Sequence, residues 1–170
     1  VCEDAAAFDL AQGSPLGGTY SGTGITTSPE FDPGLAGAGT HTITYTYTDG
    51  NSCTNSATRD ITVNVLPNVT FGAVADVCED AAAFDLAQGS PLGGTYSGTG
   101  ITTSPEFDPG LAGAGTHTIT YTYTDGNSCT NSATMDITVH ALPNATFGAV
   151  PSVCEDAAAF DLAQGSPLGG

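Results

Sequence analysis

Thr40-His41-Thr42-Ile43-Thr44-Tyr45-Thr46-Tyr47-Thr48 is the stretch that decides the fold. Its period of two sends Ile43, Tyr45 and Tyr47 to one face and a row of threonines to the other, as in a strand with one face in a core. Asp49-Gly50-Asn51 follows with hairpin-turn chemistry, Gly50 being free to take a positive φ. A return strand is expected over Ala57 to Leu66, where Ile61, Val63 and Val65 alternate. Upstream, Ala6 to Leu10 and Gly18 to Gly22 read as shorter strands, and Glu30 to Gly34 as a strand end entering a turn. Pro67 to Val74 offers one more strand. The alanines 5–7 do not extend into a helix, because Gly13, Pro15, Gly17 and Gly18 follow too closely.

This stretch returns unchanged as Thr116 to Thr124, and the whole chain repeats with a period of 76 residues. Between 1–76 and 77–152 only six positions differ: Arg59/Met135, Asn64/His140, Val65/Ala141, Val69/Ala145, Ala75/Pro151 and Asp76/Ser152. Residues 153–170 copy 1–18. Short alternating strands punctuated by Gly and Pro predict an all-β chain of tandem antiparallel β-sandwich repeats. The expected domains are 1–66, without an opening strand, a complete 67–142, and the beginning of a third over 143–170. Because the chain starts and stops inside repeats, it is expected to be a segment of a longer protein.

One basic residue, Arg59, stands against 18 acidic ones, for a formal net charge of −17. That balance excludes a nucleic-acid partner, whose phosphates require Lys and Arg, and an anionic membrane surface. No apolar run approaches the roughly 18 residues of a membrane-inserted helix. Without lysine, Lys–Asn isopeptide cross-links cannot form. An apolar fraction of 39%, arranged in alternating runs, excludes wholesale disorder.

The cysteines are Cys2, Cys53, Cys78, Cys129 and Cys154. None lie two to five residues apart, so a zinc site is not indicated. Two pairings remain open: one bridge inside each repeat, Cys2–Cys53 and Cys78–Cys129, or bridges between repeats, Cys53–Cys78 and Cys129–Cys154. Either implies an oxidising, extracellular or cell-surface location. Asp49 and Asn51, with Asp125 and Asn127, could offer oxygen ligands to Ca²⁺, the one cofactor the sequence brings to mind. A hairpin turn accounts for the same residues. Asn68-Val69-Thr70 and Asn144-Ala145-Thr146 match the N-glycosylation pattern at Asn68 and Asn144. The threonine rows resemble ice-binding arrays, yet are also ordinary solvent faces of strands. His41, His117 and His140 form no constellation for catalysis.

The order Cys2…Gly17-Gly18-Thr19-Tyr20-Ser21-Gly22…Phe31-Asp32-Pro33…Ala38-Gly39-Thr40 to Tyr47…Cys53 resembles the Ig-like repeats of giant cell-surface and adhesin proteins of the Bacteroidetes. The resemblance implies an Ig-like sandwich, a disulfide within each domain (Cys2–Cys53 and Cys78–Cys129), a partner for Cys154 beyond Gly170, and export by a type IX route. It brings no catalytic residues. The function expected is a filament, stalk or adhesin shaft that self-associates into a fibre. A multivalent array for a polysaccharide or surface ligand, or the spacer of a secreted enzyme, are the alternatives.

Overall fold

The computed structural model describes residues 1–150, 152–159 and 165–166, so the start of a third domain over 143–170 lies partly outside the described residues. The chain is all-β, with two helices of a single turn. A first unit contains β1 (Phe8–Asp9), β2 (Thr19–Ser21), β3 (Glu30–Phe31), α1 (Pro33–Ala36), β4 (Gly39–Thr48) and β5 (Thr54–Val63). The second unit opens with β6 (Thr70–Phe71) and β7 (Val77–Cys78). It continues through β8 (Phe84–Asp85), β9 (Gly89–Ser90), β10 (Thr95–Ser97), β11 (Glu106–Phe107), α2 (Pro109–Ala112), β12 (Gly115–Thr124) and β13 (Thr130–His140). A last pair, β14 (Thr146–Phe147) and β15 (Gly165–Ser166), follows.

The long hairpin anchors each unit. β4 and β5 pair from Gly39↔Val63 to Thr48↔Thr54, and β12 and β13 repeat that register from Gly115↔Val139 to Thr124↔Thr130. β2 and β10 extend the two sheets on the other side of β4 and β12. The return strand thus begins at Thr54, earlier than the alternation over 57–66 implies, because the ladder closes straight after the turn. It stops at Val63, and Val65, expected to alternate inward, is 61% exposed where the chain leaves the sheet.

The turn differs from the expected one. Ser52 donates its N–H to the Asp49 carbonyl, and the left-handed residue is Ser52 (φ 64°), with Gly50 outside that region. This is a type I turn closed by a left-handed residue, and the Asp49 carboxylate holds it by accepting from the N–H groups of Asn51 and Cys53.

The faces follow the alternation. Ile43 and Ile119 are buried with Val63 and Val139, and each of Phe31 and Phe107 is fully enclosed beneath its helix turn. Asp32 and Asp108 cap those turns by accepting from Leu35 and Leu111, with proline at the first helical position. Tyr20 and Tyr45 pack as tilted rings with centroids 4.8 Å apart, as do Tyr96 and Tyr121 at 4.7 Å. Their hydroxyls tie down the preceding glycine-rich loop: Gly89 and Gly94 donate to Tyr96 and Tyr121, as Gly13 and Gly18 do to Tyr20 and Tyr45. A side chain at Gly89 would run into the Tyr121 ring at 2.6 Å, so only glycine lets the loop lie on it.

Candidate functional site: the joint between the units

The link between the units lies alongside the second one. From Pro67, whose carbonyl accepts from the Asn131 side chain, the chain runs beside β13 until Val77 and Cys78 pair in parallel with Val139 and His140. On the way Phe71 buries itself against Tyr96 and Tyr121, with centroids 5.2 and 6.4 Å away. The tip of the β12–β13 hairpin therefore sits at the start of the link, against the base of the first unit. That base is where Cys2 bridges to Asn64 and where Glu3 accepts from the Leu66 N–H.

A disulfide joins these two ends. Cys2 is bonded to Cys129, with Cα atoms 5.5 Å apart, and Cys129 is completely buried. This corrects the within-repeat pairing Cys2–Cys53 and Cys78–Cys129. The reason is the length of the return strand. Cys2 lies at Asn64, whereas Cys53 lies at the hairpin tip, and the extended strand of ten residues between Cys53 and Asn64 sets them about 36 Å apart. A disulfide tolerates Cα separations up to about 7 Å. The same strand length separates Cys78, beside His140, from Cys129. The other pairing, Cys53–Cys78 and Cys129–Cys154, is not formed either. Cys53, Cys78 and Cys154 are free and exposed.

The remaining candidates stay apart from this joint. Asp49 with Asn51, and Asp125 with Asn127, sit in the hairpin turns, where one carboxylate oxygen of each aspartate already accepts two backbone N–H groups. Those bonds, from Cys53 first and then Asn51, hold the Asp49 carboxyl below its ordinary pKa. Among the described residues no three His, Cys, Asp or Glu side chains gather as a metal site would require. Asn68 and Asn144 are both exposed. His41 and His117 bond through Nε2 to the carbonyls of Gly37 and Gly113 at 2.8 Å, and His140 faces Asp76 at 3.5 Å. No described helix is long and apolar enough to cross a membrane.

The joint residues Glu3, Phe71 and Asn131 had no motif to announce them. The signal available was positional: each repeat carries one cysteine at a strand start and one at the far tip of a ten-residue hairpin arm. No known protein family matches the chain, and no curated protein is similar to it.

Proposed function

We propose that this chain is a load-bearing segment of an extracellular fibre, stalk or adhesin shaft, built from Ig-like units of 76 residues set head to tail. The observation that carries this reading is the Cys2–Cys129 bond, which fastens the base of one unit to the tip of the next. A staple placed inside a unit would stabilise that unit. One placed across a joint keeps two units in line under tension. The link adds to it by lending its own strand to the second unit, so the joint has no slack tether. The acidic surface keeps neighbouring shafts apart through mutual repulsion. A disulfide-closed joint suits an oxidising compartment, in keeping with a surface protein of the resembled kind.

The alternative of a repeated ligand site has less behind it. A groove of about 420 Å³ in the first unit is lined by Tyr20 and Tyr45, and in the second unit Phe71 packs against the equivalent Tyr96 and Tyr121, so the same site is not presented twice.

Pulling single molecules from both ends tests the mechanical reading. With the disulfide intact, the chain between Cys2 and Cys129 is shielded and cannot extend. Reduction should release 127 further residues, about 44 nm of contour length at ~3.5 Å per residue. Equal extension with and without reductant would refute it.

A further inference from the structure

The main sheet of the second unit turns one face to the core, and its other face is made almost wholly of hydroxyls. That outer face carries every second residue of β12 from Thr116 to Thr124, their cross-strand partners on β13 from Thr138 to Thr130, and Thr95 and Ser97 on β10. All are threonine or serine except Asp136, and none is buried. Soluble domains ordinarily charge about 25–35% of their surface, so a broad face with a single carboxylate is unusual. The first unit presents the same face, from Thr40↔Thr62 to Thr48↔Thr54, with Asp60 as its one exception. The two faces match although the units differ in how they are closed, so the feature belongs to the hairpin itself.

Charge is placed elsewhere. On the opposite sheet Asp85 stands directly across from Glu106, as Asp9 does from Glu30, with the neighbouring phenylalanines turned inward. At a net charge of −17, two copies repel each other wherever such carboxylates meet. On the hydroxyl face they can approach without opposing like charges. Its side chains also suit a contact. Threonine is stiff at χ1, and several are already held, Thr118 donating to Asp136 at 2.6 Å and Thr124 sharing a hydrogen bond with Thr130 at 2.8 Å. Little freedom is therefore lost on docking, and the γ-methyls supply apolar area. At the spacings of a sheet, the ten-residue hairpin with β10 beside it offers about 400 Å². A stable pair buries roughly 800 Å² on each side, so one unit falls short and two engaged together reach that area.

We propose that two copies of this chain pair side by side through these hydroxyl faces, each unit adding one patch to the contact. The association is isologous, with the two main sheets packed face to face about 10 Å apart. It closes at two copies, because the sheets left on the outside carry the Asp85–Glu106 and Asp9–Glu30 carboxylates and repel a third. Each patch is weak alone, so the strength of pairing grows with the number of units engaged. Salt strengthens it by screening the acidic faces. The pairing follows from strand register inside each unit and is separate from the head-to-tail reading.

The test uses the full 170-residue chain with Cys2–Cys129 formed and its remaining thiols alkylated. Sedimentation velocity is followed from about 20 mM to about 0.5 M sodium chloride, across which the screening length falls severalfold. A monomer–dimer equilibrium that moves toward dimer with salt is expected, without larger species. An aspartate in the middle of both faces, Thr44→Asp with Thr120→Asp, should weaken dimerisation at least about tenfold by setting like charges against each other. The same charges at Leu16→Asp and Leu92→Asp, exposed loop positions off the face, should change it by less than about twofold. Asp60→Ser with Asp136→Ser removes the last carboxylates from the faces and should strengthen pairing. A chain that stays monomeric across the salt range, or a dimer indifferent to the Thr44 and Thr120 changes, overturns the proposal. A monomer retained on an insoluble polysaccharide would assign the face to a carbohydrate and overturn it equally. A map of disulfide peptides reports Cys2–Cys129 separately, so a monomer that keeps this bond leaves the load-bearing reading standing.

Discussion

The two units share nearly every residue and differ in how well they are closed. Ile137 and Tyr121 are buried in the second unit, whereas Ile61 and Tyr45 in the first are only half-covered, although their strands pair in the same register. Cys129 is enclosed while Cys53 lies open at an identical turn. What separates them is the segment 67–76, which supplies β6 to the second unit and places the first unit's base over the second unit's hairpin tip. The repeat of the sequence is therefore not the repeat of the core. A closed core takes its opening strand from the residues that link it to its neighbour, so folding of a unit and formation of a joint are one event.

Breaking the joint should produce the largest effect. Replacing Cys129 with serine removes a cross-link between residues 127 apart, which the chain-entropy relation values at about 5 kcal/mol. Denaturant unfolding of that variant beside the parent chain should show a lower midpoint, and small-angle scattering a wider spread of interunit angles. Unchanged scattering would mean that the link alone sets the angle. Next comes Phe71→Ala, which should make the second unit resemble the first. Loss of a buried phenylalanine costs about 3–5 kcal/mol. Amide exchange at Tyr121 and Ile137 should speed up toward the rates at Tyr45 and Ile61, while the first unit stays as it was. If both units loosen together, they fold as a single cooperative body.

Much of this was legible in advance, and the parts that were not share a cause. The alternation in 40–48 gave the long strand and its inward face, and Asp49-Gly50-Asn51 gave the hairpin, because both depend on neighbours a few residues away. The positive φ fell on Ser52 instead of Gly50, since the aspartate carboxylate caps the turn and shifts its left-handed position to the end. The disulfide was misassigned because pairing by family resemblance ignored strand length. Once the hairpin arm is recognised as ten residues long, a cysteine at its tip cannot meet one at its base. The open groove was unreadable from composition. It depends on which segment lies over which edge, a property of the chain's path and not of its pattern.

A smaller effect should sharpen the comparison at Arg59 and Met135, where the paired registers of the two hairpins carry different side chains. Met135 packs on the second unit's core, and its equivalent Arg59 lines the first unit's groove. Met135→Arg should lower the second unit's stability by about 1 kcal/mol, because the guanidinium must reach water past the segment that covers it. The reverse change, Arg59→Met, should leave the first unit within about 0.5 kcal/mol, since nothing described lies over that side chain. Equal costs in a chemical denaturation series would mean that the covering segment does not distinguish the two sites.

The smallest expected effect concerns acid and the turn of the first hairpin. The Asp49 carboxyl titrates below its ordinary range because the N–H groups of Cys53 and Asn51 bond to its charged form. A depressed folded-state pKa contributes stability that is present above the unfolded value and lost as pH falls through the folded one. The first hairpin's tip should therefore hold at neutral pH and loosen only below about pH 4. Asp49→Asn keeps an acceptor oxygen without the charge, so the acid dependence should vanish while the turn survives. Exchange of the Cys53 amide, followed between pH 5 and pH 2.5 in the parent and in Asp49→Asn, reads this directly. Persistent acid sensitivity in the variant would place its origin in another carboxylate.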